Sequence, residues 1–226
     1  MSRTALLLGA TGLVGGLVLQ RLLASSDWRQ VTVIGRRAPG VSHEKLRFVE
    51  ADLGQLERYI GEFSVTDVFC CLGTTLKQAG SKQAFARVDL DFCVAAARQA
   101  RAAGVQRFLM ISAVNANRNG VSFYARTKGE AEHQIAALGL PCVVFIQPSL
   151  LKGKRGEFRL GEEIGLTALA AVMPLVRWTQ ADWLPIEAQT VADAMVAAAL
   201  HGPSAGVHRL RYRDLQKFSQ QFLLNN

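Results

Sequence analysis

The chain has 226 residues, half of them hydrophobic, with a net charge of +8 and a pI near 9.7. That fits one α/β domain with a sizeable core. The charge alone invites nucleic acid, but the basic residues are scattered beside acids. Their densest cluster, Lys152, Lys154, Arg155 and Arg159, reads as a solvated loop with no nucleic-acid motif around it.

No apolar run approaches the ~20 residues needed to span a membrane. The nearest, Ile164–Val176, is short and contains Pro174. Arg3 and the apolar residues after it resemble a leader peptide, but the glycine turn that follows argues for a folded start. Cys70, Cys71, Cys93 and Cys142 form no CxxC pair and no Cys/His metal spacing. They predict reduced, buried thiols in a cytoplasmic protein without a metal, with Cys71 as a second option for a reactive thiol.

Thr4 to Leu23 reads TALLLGATGLVGGLVLQRLL. Ala5–Leu8 predicts a strand, Gly9, Gly12 and Gly15 a tight turn, and the apolar segment behind them a helix. Glycine lets backbone N–H groups approach an anion, and the helix start adds unpaired donors and a positive dipole end. Gly9, Thr11, Gly12, Leu13, Val14 and Gly15 are therefore the candidate phosphate contacts. No Gly-Lys-Ser/Thr follows, so this is not a P-loop.

Asp27–Gln30 predicts a polar connection and Val31–Ile34 a second strand, ending at Gly35-Arg36-Arg37. A site preferring NAD(H) places an acid here for the ribose 2′-hydroxyl. Two arginines stand in its place and suit a 2′-phosphate, which selects NADP(H). Lys45–Glu50 is a third strand. Asp52, with Leu53 beside it, either meets the adenine or caps a helix over Gln55–Gly61. Asp67–Leu72 is a fourth strand, and Leu72, Gly73 and Thr74 pass the adenosine side of the cofactor. Lys77–Lys82 reads as a polar loop.

Ala84–Ala103 predicts a long helix stopped by Gly104. Asp89 and Asp91 within it are either solvated or turned, one of them, toward the functional strand ends. Gln106–Ile111 is a fifth strand ending at Ser112-Ala113. Val143–Ile146 is a sixth, ending at Gln147-Pro148-Ser149, where Pro148 and Ser149 are cofactor contacts or a plain proline turn. This alternation predicts a Rossmann-type, doubly wound parallel sheet with its ligand at the carboxyl ends of the strands.

Residues 1–151 are expected to form the dinucleotide-binding core of a single domain, and the composition changes beyond Lys152. In that last stretch Gly161–Val176 is a candidate apolar helix. Trp178 and Trp183 pack it or line a pocket. Pro185-Ile186 precedes a helix over Thr190–Leu200, with Thr190 and Asp193 as capping or first-turn residues rather than catalysts. Leu215–Asn226 is an amphipathic helix or a frayed end. His43, His133, His201 and His208 are dispersed, without a metal or triad pattern.

The residues suited to chemistry lie between the fifth and sixth strands. Tyr124 and Lys128, in VSFYARTKGEAE, are four apart and share a helix face. A free tyrosine titrates near ~10, and a neighbouring ammonium lowers that value. Tyr124 can then exchange a proton with a carbonyl oxygen, Lys128 can hold the nicotinamide ribose, and Ser112 can hydrogen-bond the substrate.

Gly9-x-x-Gly12-x-x-Gly15, Gly35-Arg36-Arg37, CLGTT at 71–75, Ser112 and Tyr124-x-x-x-Lys128 together resemble the short-chain dehydrogenase/reductase superfamily. The glycine spacing is that of its extended and atypical branches. CLGTT and FYARTKGEAE resemble the Tat-interactive, metastasis-suppressor oxidoreductase-like group and its bacterial relatives, over most of the chain from Leu6 to Ala199. The resemblance implies NADP(H) along the strand ends, Tyr124 as acid/base, Lys128 on the ribose, Ser112 on the carbonyl, and residues 152–226 as mainly a small C-terminal substrate lobe with closing elements. Two positions depart from the pattern. Ala113 replaces a serine, so Ser112 serves alone, Ser122 approaches from the loop, or activity is weakened. Gln147 replaces a common arginine.

The expected function is an oxidoreductase acting on a small carbonyl or alcohol, as a homodimer like many relatives, without nucleic acid or a membrane span. The alternative is an NADP(H)-binding regulator that acts through a protein contact.

Overall fold

The computed structural model describes residues 2–152 and 182–225. Seven strands make one parallel sheet. They are β1 (Arg3–Leu8), β2 (Trp28–Gly35), β3 (Leu46–Glu50), β4 (Asp67–Cys70), β5 (Arg107–Ile111), β6 (Cys142–Ile146) and β9 (Gly206–Leu210), in the spatial order β3-β2-β1-β4-β5-β6-β9. Two short strands, β7 (Leu151–Lys152) and β8 (Ile186–Glu187), pair apart from it.

Both faces of the sheet are covered, which is why its strands read as continuous apolar runs. Ala5, Leu7, Val144 and Ile146 turn to the face packed by helix α1 (Leu13–Ala24) and helix α6 (Ala188–His201). Leu6, Leu8, Val143 and Phe145 turn to the other face. That face carries the 3-10 helix Leu53–Phe63, helix α4 (Phe92–Ala102) and helix α5 (Phe123–Ala136).

Several expectations change. Strand β2 begins at Trp28, inside the expected polar connection, because Trp28 is fully buried. The expected loop at 77–82 holds two capped helices. Thr75 accepts from the Gln78 amide to start α2 (Leu76–Ala79), and Ser81 accepts from the Ala84 amide to start α3 (Lys82–Ala86). The long helix after Ala84 is continuous but swells into a π-turn over Arg87–Asp91.

At the C-terminal end, residues 206–210 join the main sheet beside β6 and α6 is almost wholly buried, so this part of the expected lobe belongs to the core. Asp193 is no cap. It is buried in α6 and binds Arg21 of α1 at 2.7 Å. The tail is helix α7 (Tyr212–Asn225). The expected helix Gly161–Val176, Trp178, and Lys154, Arg155 and Arg159 lie outside the described residues, while Trp183 is exposed. No described helix is long and apolar enough to cross a membrane.

One clamp fixes the amino end of the sheet. Asp67 is fully buried at the start of β4 and accepts from the Arg3 guanidinium at 2.6 and 2.8 Å and from Trp28 Nε1 at 3.0 Å. Arg3 also donates to the Ala199 carbonyl, which ties α6 to the sheet. Replacing Asp67 by alanine leaves a half-buried guanidinium and an indole N–H without their acceptor. Stability should fall by about 3–5 kcal/mol in an equilibrium urea titration. A loss below about 1 kcal/mol would reduce the clamp to a surface-type ion pair.

Candidate functional site

The strand order reverses between β1 and β4, so a crevice opens there at the carboxyl ends of the strands. Gly9 makes the closest approach. Its φ is +85°, and a Cβ on it would stand 2.4 Å from the Cys71 carbonyl oxygen. A Cβ on Gly15 would stand 2.1 Å from the Gly9 carbonyl. These two glycines thus serve the turn and the close packing of helix on strand. Gly12 caps α1 without a side-chain acceptor, and the first turn carries no acid. Its N–H donors are left for an anion, with Thr11 exposed beside them. Leu13 is half-buried, and the Val14 side chain sits in the core.

The end beyond β2 and β3 holds a cleft of about 370 Å³ lined by Arg36, Glu50, Ala51, Asp52 and Tyr59. Arg36 and Arg37 are exposed, and neither has an ion-pair partner among the described residues. The helix-cap reading of Asp52 is the one the structure shows, and its adenine reading stays a proposal. Asp52 lines the cleft, and its carboxylate caps the 3-10 helix through the Gly54 amide at 2.9 Å. The side chains of Leu53 and Leu72 are buried in the core. This edge thus offers unpaired N–H donors at the helix start and, among the described residues, cations without an ion-pair partner beyond β2, a donor set that suits an anionic dinucleotide.

Helix α5 supplies the other end. Ser122 is its N-cap, accepting from the Ala125 amide, so that serine has a structural task. Tyr124 is half-buried, with its ring 5.7 Å from that of Phe85. Lys128 is 3% exposed. Its Nζ donates to the Ile111 carbonyl at 3.3 Å and lies 2.8 Å from Asp89 Oδ1. Asp89 is 1% exposed, and its other oxygen accepts from the Thr74 amide at 2.8 Å. A Cβ on Gly73 would lie 3.4 Å from Asp89 Oδ1 and 3.9 Å from Lys128 Nζ, so the β4 loop passes over the pair.

The electrostatics reverse a sequence expectation. The Tyr124 phenol is raised, first by burial. Lys128 pulls it down, and Asp89 pushes it up again. Lys128 itself is raised: burial works most strongly against its charge, and Asp89, joined by Tyr124 and Cys93, more than offsets it. Asp91 is exposed, which settles which of the two aspartates turns inward.

Ser112 is buried, and its hydroxyl donates to Glu132 Oε1 at 2.5 Å. The same oxygen accepts from Gln147 Nε2 at 2.8 Å, while Arg209 Nε meets Oε2 at 2.8 Å. The Gln147 oxygen accepts from Arg211 at 3.1 Å. The Ser112 proton is thus already given to a carboxylate, and the expected donation to a substrate carbonyl does not match this geometry. Ser149, expected at the cofactor, is buried and donates to the Leu184 carbonyl, while the Pro148 carbonyl accepts from the Val114 amide.

Glu132, Arg209 and Arg211 were missed by sequence reasoning. Glu132 did leave a signal, being four residues beyond Lys128, so that Tyr124, Lys128 and Glu132 form one helix stripe. The arginines left none, because β9 reads GVHRL and carries no apolar run. All four cysteines are free. Burial, then Cys93, pushes the Cys71 thiol up, which argues against a reactive Cys71.

Residues 9–201 match a family model described as NAD(P)H-binding. The chain is 36% identical over 162 residues to Protein FMP52-2, mitochondrial, of Scheffersomyces stipitis, covering 70% of this chain and 71% of that one. It is 33% identical over 165 residues to Protein HTATIP2 of Rattus norvegicus, covering 71% and 68%. Among solved structures, the Bordetella bronchiseptica enzyme WbmG in complex with NAD superposes with a TM-score of 0.68 at 16% identity, covering 100% of this chain and 78% of that one. The relatives correct the cytoplasmic expectation, because the FMP52 proteins among them are named mitochondrial. Reduced, buried thiols fit any reducing compartment, so the cysteines never distinguished the two.

The Cys93 thiol behind Lys128 is also raised, first by its hydrogen bond with Cys70 and then by burial. A group raised on folding contributes stability that is complete below its unfolded value and lost as pH rises above it. For a thiol that loss begins near ~8.5 and runs at about 1.4 kcal/mol per pH unit per group. Urea midpoints should therefore fall between pH ~8 and ~10, with a shallower fall in Cys93→Ala; equal slopes in the two proteins would refute the assignment.

Proposed function

The chain belongs to the NAD(P)H-binding family within the short-chain dehydrogenase/reductase superfamily, and on that premise we propose that it is an NADP(H)-dependent oxidoreductase acting on a small carbonyl or alcohol. The observation that carries this reading is Tyr124 held beside a buried, protonated Lys128 on the sheet edge that also bears the glycine turn. A bound nicotinamide cofactor supplies or accepts the hydride. The chain's own residues bind, orient and move a proton.

The first turn of α1 receives the pyrophosphate. Arg36 and Arg37 receive the 2′-phosphate, which only NADP(H) carries. Tyr124 passes its phenolic proton to the substrate oxygen in reduction and takes it back in oxidation. Of the three Lys128 protons, Asp89 and the Ile111 carbonyl engage two, and the third is left for the ribose or Tyr124. Ser112, its proton given to Glu132, keeps lone pairs that accept from a hydroxyl, which suits the alcohol form.

One observation favours a second reading. The fixed Ser112 proton, next to Ala113, suits a regulator that binds NADP(H) without turning over. NADPH binding by the wild type with no turnover across a broad carbonyl panel would select it.

Titration calorimetry should show NADPH binding at least about tenfold more tightly than NADH, from one charge-assisted contact, and Arg36→Ala should abolish the difference. Equal affinities in the wild type would remove the role of Arg36. Tyr124→Phe should cost about 10²- to 10⁴-fold in turnover while leaving NADPH binding intact. Full activity in that variant would sink the mechanism.

A further inference from the structure

We infer that Asp89 is a positioning residue of the proton-donating site: it clamps the Lys128 ammonium beneath the β4 loop, ties it to the Thr74 amide, and so presents an acid, not a base, to a substrate oxygen. This rests on the reading of Tyr124 as the proton carrier and goes beyond it by naming the residue that sets the protonation state.

The geometry comes from three elements. The π-turn Arg87–Asp91 places Asp89 at 1% exposure, 2.8 Å from Lys128 Nζ. The β4 loop contributes the Thr74 amide at 2.8 Å, and α5 contributes both Lys128 and Tyr124. π-Turns cost hydrogen-bond geometry and occur often at functional sites. Without this one the carboxylate would not stand between loop and lysine.

Among the described residues, the charged and titratable groups around the phenol are few. Lys128 lies on its own helix and Asp89 on the π-turn. Cys93 of α4 stands behind Lys128, with Cys70 of β4 beyond it. Asp89 is the anion paired with the ammonium. Where a lysine faces a tyrosine with no anion, the ammonium favours phenolate. Here burial outweighs that pull and the anion offsets part of it, and the same anion helps keep a buried lysine charged. The resting site therefore holds both protons, the state that donates to a carbonyl oxygen.

The test needs no turnover. Lysine Cε and tyrosine Cζ are labelled with carbon-13 in the full chain, and the Lys128 and Tyr124 signals are assigned with Lys128→Met and Tyr124→Phe. In the wild type both groups should keep their protons up to pH ~10, the ordinary range of a free tyrosine or lysine. In Asp89→Asn, of nearly the same shape but without charge, the pair should lose its first proton at least about one pH unit lower, a tenfold larger ionisation constant, whichever group gives it up. An unchanged or higher first midpoint in Asp89→Asn overturns the inference. Should that variant not fold, a first proton lost below pH ~9 in the wild type overturns it equally, and retention to pH ~10 supports it. Because only protonation is read, failure here leaves the oxidoreductase reading standing, and an inactive wild type leaves this result standing.

Discussion

A lysine ammonium taken out of water costs several kcal/mol unless an anion and further acceptors replace its hydration. Lys128 is such a group, and much of the site follows from that demand. An anion had to reach it, and the helix spanning residues 82–102 widens into a π-turn where Asp89 reaches in. The carboxylate then needed a second donor, which the Thr74 amide gives, so the loop after β4 is fixed over the pair. The strand end had to offer a carbonyl, and Ile111 does. Tyr124 takes the electrostatic remainder of a pair that is nearly neutral seen from outside.

A second buried carboxylate imposes a parallel order one helical turn further on. Glu132 is 3% exposed and, when ionised, can only accept. Its partners must all be donors, so the Ser112 hydroxyl, the Gln147 amide and the Arg209 guanidinium each turn toward it. This accounts for Gln147. A glutamine there donates to Glu132 with one end and accepts from Arg211 with the other, while the neutralising charge arrives from β9. The seventh strand therefore does more than widen the sheet. It delivers the cation that lets a carboxylate lie under the site.

The layout was legible because its causes are local. Four apolar residues before Gly9, a β-branched run before Gly35 and an alanine-rich stretch ended by Gly104 each carry their own period or stop signal. Tyr124 and Lys128 were legible for the same reason, as neighbours one helical turn apart. What stayed hidden depends on distant partners. Asp89 in the sequence is an aspartate in a helix, and only the π-turn and the fold decide that it, and not Asp91, faces Lys128. The Tyr124 shift reversed chiefly through burial, with Asp89 adding to the rise against the pull of Lys128. Strand β9 escaped because an edge strand beside β6 needs few apolar side chains; its Arg209 reaches across to Glu132, and Arg211 just beyond the strand reaches Gln147. The Ser112 role shifted because its partner, Glu132, lies twenty residues away.

The charges divide the two ends of the crevice by function. At the adenosine end Arg36 and Arg37 stand exposed and unpaired among the described residues, beside a cleft open to solvent. An arriving phosphate there gains an attraction that no protein anion already satisfies, at little desolvation cost to the guanidinium. At the other end the buried charges of the described residues are matched: Lys128 by Asp89, Glu132 by Arg209. Among the described residues, a ligand group entering between Tyr124 and Ser112 meets dipoles and a shared proton, with no unmatched buried charge. An anion would have to leave water without compensation there, whereas a neutral carbonyl or hydroxyl would not. On the proposed reading, one end binds charge and the other moves a proton, and among the described residues the second end is nearly neutral although the chain carries a net charge of +8.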